Sequence, residues 1–248
     1  MMKKVNLFIV GAQKGGTTAL ADFLAKHPDV YVVDGKEAHV FDNPVLQNTS
    51  PDCIDIAYQK LLSRYNGEEI CCDATPIYMF FKEIPARLFN YNPNARVIII
   101  LRDPAERALS HYQMEKKRGD EKLSYFSALL SEKKRLATDV DCYKLGSAHR
   151  IFSYRSRGHY FSQLVNIYSH FPKENVLILT NEQLRLQHDS ALEKVSHFLK
   201  IPNVTIPPAK IFSGNYQVTF KERLICCFLK FYFIFDKIKL RLYYKISL

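Results

Sequence analysis

With 248 residues, 47% hydrophobic and 13% aromatic, the chain is long enough for one large α/β core. Its formal net charge of +10 calls for an anionic partner, a description that nucleic acid, acidic glycan, nucleotide and membrane surface all satisfy. Zinc-finger spacing, an RNP-like aromatic motif and long basic runs are all missing, which sets nucleic acid aside, and no repeat of 20 to 50 residues announces a solenoid or propeller.

In chain order, residues 5–10 (VNLFIV) read as a strand covered on both faces, followed by the loop GAQKGGTT and a helical pattern over Ala19–Lys26. The opening MMKKVNLFIVG lacks a small-x-small cleavage site and runs into the glycine loop, so it is expected to be a first strand, not a signal peptide. Residues 96–101 (RVIIIL) form a second strand, leading through Arg102-Asp103-Pro104 into a helix from about Ala105 to Lys117; proline suits a helix start, where no donor is needed. The amphipathic stretch Tyr160–Phe171, a third strand VLILT at 176–180 and a helix over Ser190–Leu199 complete the alternation. Strands alternating with helices predict an α/β fold with a central parallel sheet flanked by helices, of the P-loop nucleotide-kinase kind. Residues 42–70 and 118–155 are polar and irregular in pattern and are expected to be loops at the C-terminal edge of the sheet.

The boundary is placed at 1–220 for the main domain and 221–248 for a basic, aromatic tail. There Arg223, Lys230 and Lys237 recur seven residues apart, which puts them on one face of a helix. The longest uncharged stretch is well short of the roughly 20 residues that span a bilayer. The tail reads equally as a peripheral, interfacial helix or as a helix docked on the domain or on a second subunit. Of six cysteines, Cys71-Cys72 and Cys226-Cys227 are adjacent pairs, poor disulfide partners for themselves and poor zinc ligands. With Cys53 and Cys142 they suggest a reduced compartment: a cytoplasmic protein, membrane-associated at the cytoplasmic face if the tail reaches lipid.

Gly11-Ala12-Gln13-Lys14-Gly15-Gly16-Thr17-Thr18 lies at a strand end and opens a helix, where backbone N–H groups and a helix N-terminus can surround a phosphate. Compared with G-x-x-x-x-G-K-[ST], Gly11 and Gly16 keep their spacing, but Thr17 stands at the lysine position and the lysine comes earlier, at Lys14. That displacement argues against ordinary nucleoside triphosphate hydrolysis. So does the lack of an apolar strand ending in a metal-binding Asp, since RVIIIL runs into Arg102 and VLILT ends in Thr180.

VGAQKGGTTAL and IIILRDPAERALSHY together resemble the two signature segments of PAPS-dependent sulfotransferases, enzymes that use 3′-phosphoadenosine 5′-phosphosulfate. Weaker similarity continues through RGHYFSQLVNIYSHFPKENVLILTNEQL and HFLKIP, so it spans about residues 5–202. The resemblance implies that Lys14, Gly15, Gly16, Thr17 and Thr18 hold the 5′-phosphosulfate and that Arg102 and Ser110 hold the 3′-phosphate. A guanidinium at a strand end can fork onto phosphate, with a hydroxyl two helical turns on donating to the same group. Sulfuryl transfer needs no bridging magnesium, so no metal is expected, and a lysine on the bridging oxygen can stabilise the leaving group. Asp103 and Arg107 are read as a cap or an ion pair.

In-line transfer also requires a base for the acceptor proton. Lys36-Glu37-Ala38-His39-Val40-Phe41-Asp42 resembles the Lys-Glu-x-His-x-Phe segment of the glycan branch, including heparan sulfate sulfotransferases, which implies Glu37 as the base. His39, whose ordinary pKa near 6.5 suits the task, is the runner-up, and His111 the third. Where that branch carries Glu-Lys-Ser/Thr-Pro, this chain has Asp73-Ala74-Thr75-Pro76. Without that lysine, another cation such as Lys36 must serve, or the acceptor differs from heparan-type chains. Ser213-Gly214-Asn215 with Lys221 stand in for the family's adenosine-covering loop. The expected function is sulfuryl transfer from PAPS, releasing PAP, to a hydroxyl or amine of a carbohydrate or glycoconjugate. The rivals are a P-loop kinase and a non-catalytic nucleotide-binding, membrane-associated protein, which would keep the loop without needing Glu37.

Overall fold

The computed structural model describes residues 3–207 and 217–248, so Ser213-Gly214-Asn215 lie outside the described residues. The first half of the chain runs β1 (Leu7–Gly11), α1 (Thr17–Leu24), β2 (Val30–Val32), α2 (Pro51–Gln59), β3 (Ile70–Asp73), α3 (Ile84–Tyr91) and β4 (Arg96–Leu101). Next come α4 (Pro104–Arg118), α5 (Tyr125–Ala137), α6 (Ala148–Ile151), α7 (Tyr160–Tyr168), β5 (Val176–Thr180), α8 (Asn181–Leu186) and α9 (His188–Leu199). The chain finishes with α10 (Phe220–Tyr232) and α11 (Ile234–Tyr244).

The five strands form one parallel sheet in the order β2-β3-β1-β4-β5. The expected parallel α/β architecture is therefore present. β1 and β4 are central and almost continuously apolar because both of their faces are covered, and Ile98, Ile99, Ile100 and Leu101 are fully buried. Two strands, β2 and β3, and five helices, α2, α3, α5, α6 and α8, escaped the sequence pattern. β2 and β3 are short (VYV and ICCD), and α2 and α5 occupy stretches expected to be irregular. α5 is amphipathic, with Tyr125, Ala128, Leu129 and Glu132 facing inward and Ser124 capping its start.

The described residues fall into two compact units, one within Met1–Leu101 and Leu164–Phe212, the other within Arg102–Gln163 and Ser213–Leu248. The first holds the sheet, whose core gathers Leu20, Leu24, Ile98, Ile100, Leu179 and Leu192. Each such side chain contributes about 1.5–3 kcal/mol when fully buried. In the second, Ala105, Ala108, Tyr112, Tyr125, Tyr154 and Phe233 form a separate core. Asp103 caps α4 by accepting from the backbone N–H groups of Ala105 and Glu106 at 3.1 Å, and its other oxygen pairs with Lys237 at 2.9 Å. Arg107 is fully buried and donates to the Tyr154 carbonyl; burial lowers its guanidinium below the ordinary arginine value.

The basic tail folds as two helices, not one, broken at Phe233. Thr219 and Glu222 make a reciprocal capping box that starts α10. Cys226, Leu229 and Phe233 join the core with α4 and α5, and a Cβ added to Gly158 would lie 2.6 Å from the Phe233 ring. All six cysteines are free thiols. Among the described residues no helix is long and apolar enough to cross a membrane.

Candidate functional site

The glycine loop is built as the sequence requires. β1 ends at Gly11, the Ala12 N–H donates to the Ile100 carbonyl at 2.7 Å, and the Gly15 N–H turns back onto the Ala12 carbonyl at 2.7 Å. Gly15 sits where a Cβ would come within 2.4 Å of the Ile100 oxygen, and Gly16 has φ 115°, so both positions demand glycine. Asn181, at the start of α8, fastens the loop by donating to the Gly15 carbonyl at 2.8 Å. Lys14 lies within the loop at φ 68°. α1 begins at Thr17 with Gly16 as its N-cap, no side-chain cap and no acidic residue in its first turn. The helix-start N–H groups and their partial positive charge therefore meet no carboxylate of that turn, as an anion cradle requires.

Beside this loop the structure assembles a charged cluster. The Lys36 ammonium donates to the Thr18 hydroxyl at 2.8 Å and to Glu37 Oε1 at 2.7 Å. His39 Nε2 lies 3.3 Å from Glu37 Oε2, and His39 Nδ1 lies 2.9 Å from Asp42 Oδ2. Thr18, Lys36, Glu37, His39 and Asp42 thus form one connected chain of contacts. Burial pushes the Glu37 carboxyl up, but the His39 and Lys36 contacts more than reverse this and hold it below the ordinary value. For His39, burial acts downward, yet Asp42 and Glu37 outweigh it and raise the imidazole to about 9. At neutral pH the cluster therefore holds Glu37 as a carboxylate and His39 as an imidazolium.

A second carboxylate braces the first. Asp73, at the end of β3, is fully buried and accepts from the Thr75 hydroxyl at 2.6 Å, the Tyr58 hydroxyl at 2.7 Å, the Tyr78 hydroxyl at 3.0 Å and the Ala38 N–H at 3.3 Å. The Thr75 hydroxyl in turn accepts from the His39 N–H, and the Tyr78 hydroxyl from the Val40 and Phe41 N–H groups. Burial raises the Asp73 carboxyl above its ordinary value despite these bonds. The strand β3, which the sequence pattern missed, ends in this aspartate. Its oxygens are taken up by hydroxyls and a backbone amide that shape the Glu37 segment. The signal for this network was the Asp73-Ala74-Thr75-Pro76-Ile77-Tyr78 stretch, read only for the lysine it lacks.

Arg102 and Ser110 belong to the second unit. Arg102 follows β4 directly and presents Nη2 to Glu106 Oε2 at 3.2 Å, one turn into α4. Ser110 is half-buried on α4. His111, beside it, is fully buried against the Tyr154 ring and lies 3.4 Å from Glu115. Among the described residues no cluster of His, Cys, Asp and Glu is arranged to hold a metal ion.

A parallel α/β sheet whose first strand turns through glycines into a helix without a side-chain cap defines a protein of the P-loop class. More narrowly, residues 4–213 match the sulfotransferase domain family, and the chain belongs to that family. It is similar to the human heparan sulfate glucosamine 3-O-sulfotransferases 3B1 and 3A1, each 33% identical over 197 residues. That alignment takes in 79% of this chain but 46% and 44% of those proteins, so the chain spans about half the length of the curated relatives it matches. Among solved structures it is similar to a sulfotransferase from Alicyclobacillus acidocaldarius, with TM-score 0.80, 25% identity and coverage of 99% of this chain and 98% of that one. Mouse sulfotransferase SULT7A1, solved in complex with PAP, shares the fold at TM-score 0.52 and 16% identity, covering 82% of this chain and 61% of its own.

Proposed function

We propose that this protein transfers a sulfuryl group from PAPS to a hydroxyl or amine of a carbohydrate or glycoconjugate, with Glu37 taking the acceptor's proton. The observation that carries this reading is the Lys36 ammonium joining the anion loop at Thr18 to the Glu37 carboxylate. It puts a proton acceptor within two contacts of the place where an anionic donor group would sit. The relatives named for heparan sulfate glucosamine support a sugar acceptor.

The donor fits the residues present: a loop in which only glycine is tolerated at positions 15 and 16, and a helix start with no acid in its first turn. PAPS supplies an activated sulfuryl group on a phosphate leaving group. Gly15, Gly16, Thr17 and Thr18 bind its 5′-phosphosulfate, with Lys14 neutralising charge that grows on the bridging oxygen. Arg102, exchanging Glu106 for a phosphate, and Ser110 bind the 3′-phosphate. The bond from sulfur to the bridging oxygen breaks as the acceptor atom bonds to sulfur; the leaving PAP takes the electron pair and Glu37 the proton.

The protonation states favour Glu37 over His39 as base. An imidazole raised to about 9 is already loaded with a proton at neutral pH, whereas the neighbouring carboxylate is empty. His39 and Lys36 are then cations free to turn toward an anionic acceptor or donor group, and each such move would make Glu37 a stronger base. The test is transfer of radiosulfate from labelled PAPS to a panel of heparan-type chains, other glycans, phenols and lipids, alongside calorimetry of PAP and ATP in EDTA. Sulfated glycan and metal-independent preference for PAP are expected. Transfer confined to phenols would reject the acceptor class, and equal ATP affinity would reject the donor.

A further inference from the structure

We propose that the outer faces of α10 and α11 form a docking surface for an anionic lipid bilayer. Both helices are amphipathic on the inside and apolar again on the outside. On α10 the inward residues are Glu222, Cys226 and Leu229. Opposite them stand Phe220, Leu224, Phe228 and Phe231, at steps of four, four and three, exposed to 81%, 49%, 67% and 71%. On α11 Leu240 faces inward, while Phe235, Ile238 and Leu242 are 75%, 47% and 72% exposed. A helix that only completes a core has one apolar stripe, with polar residues opposite. A second stripe, of exposed phenylalanine, leucine and isoleucine along one face of each helix, is a feature of the kind that marks an interaction site.

Charge selects the occupant. Residues 217–248 carry seven Lys and Arg against two Asp and Glu, a net +5 out of +10 for the whole chain. Both acids point inward: Glu222 is buried in its capping box and pairs with Lys116 at 3.9 Å, while Asp236 accepts from the Phe161 N–H. The seven-residue cation spacing does not describe the outer face, because Lys230 and Lys237 turn toward α4 to pair with Glu106 and Asp103. The exposed cations beside the apolar stripes are Lys221 and Arg223 on α10 and Lys239 and Arg241 on α11. An aromatic stripe flanked by cations and lacking outward acids suits the headgroup boundary of an anionic membrane. A second copy of the chain suits it poorly, since a two-fold pairing across the stripe would set cations against cations.

The test uses the full chain and sedimenting vesicles of phosphatidylcholine, alone or mixed with phosphatidylserine. Retention is expected on the mixed vesicles, weakened by salt, and little on phosphatidylcholine alone. Arg223→Gln with Arg241→Gln should lower partition by about fivefold per cation, roughly 25-fold together. Phe228→Ser with Phe231→Ser should abolish retention while leaving circular dichroism and the thermal midpoint unchanged, since both rings face outward. Equal retention on both vesicles, or none on either, would overturn the proposal. So would a dimer in sedimentation velocity that the phenylalanine variant splits while vesicles retain nothing, because the second copy would then be the occupant.

Discussion

The segment Lys36–Asp42 and the stretch Asp73–Tyr78 that braces it each centre on a carboxylate, and the two are linked through the Ala38 N–H. They differ in what surrounds the charge. Glu37 is half-exposed between two cations and held below its ordinary value, while Asp73 is fully buried, solvated by three hydroxyls and one amide, and raised. Cations keep a carboxylate ionised and reachable; hydroxyl donors in a dry pocket turn one into a structural fastener. Under the proposed function, the first would take a proton from the acceptor, and the second holds the backbone that carries it.

The largest effect should come from removing the reachable carboxylate. Glu37→Gln keeps the shape but cannot take a proton, and turnover should fall by about 10²–10⁴. PAP affinity should hold, since the glycine loop and the Asp73 bonds do not involve that side chain, and the thermal midpoint should fall only slightly, by the modest worth of its pairing with Lys36 and His39. If the variant loses its fold instead, Glu37 is a fastener too and the contrast collapses. Lys14→Ala should come next, with turnover lower by about 100-fold and PAP binding changed much less. Equal losses in turnover and PAP affinity would show that Lys14 only holds the donor.

Asp73→Ala should behave in the opposite sense to Glu37→Gln. Three hydroxyls lose their acceptor in a buried pocket, and relief of the carboxylate's own desolvation offsets part of that, so a loss of about 2–3 kcal/mol in unfolding free energy is expected. Chemical denaturation checks the magnitude. Activity per folded molecule should drop less than in Glu37→Gln, because the His39, Val40 and Phe41 amides still have Thr75 and Tyr78 as partners. A stable but inactive Asp73→Ala would move the proton-transfer role to Asp73.

The contrast between these two regions also marks what the sequence could and could not convey. The glycine loop was legible because it is built by backbone geometry, and glycine spacing writes that geometry directly into the chain. β1 and β4 were legible because strands buried on both faces must be apolar throughout, and β5, a partly exposed edge strand, by its uninterrupted VLIL run. The β3 strand was not: Cys71 and Cys72 are only modest strand formers and Asp73 breaks the apolar run, so its burial follows from neighbours contributed by β1, β2 and α2. The bond from Lys36 to Thr18 is equally non-local, although the missing lysine at Ala74 had pointed to Lys36. In the tail, a pattern of aromatics and cations on all sides does not say which side is inward. That is decided by Gly158 and the small alanines of α4, which leave room for Phe233 and Leu229.

The smallest expected effect concerns His39, and it sharpens the contrast by asking whether the charges around Glu37 also carry folding energy. His39 has a folded value of about 9, above its ordinary 6.5. The stabilisation it draws from Asp42 and Glu37 is thus complete below pH about 6.5 and is lost as pH rises through about 9. The histidine side chain is 47% exposed, so solvent screens these contacts and the contribution is modest. His39→Asn removes the titrating group while keeping a small polar side chain suited to its positive φ of 50°. The difference in denaturation midpoint between wild type and His39→Asn should therefore shrink across that window, wild type being the more stable at its acid end. Curves that stay parallel from pH about 6 to about 10 would mean that the two neighbouring carboxylates do not stabilise the protonated His39. The case for Glu37 over His39 as the base would then lose its electrostatic support and rest on the turnover of the two variants alone.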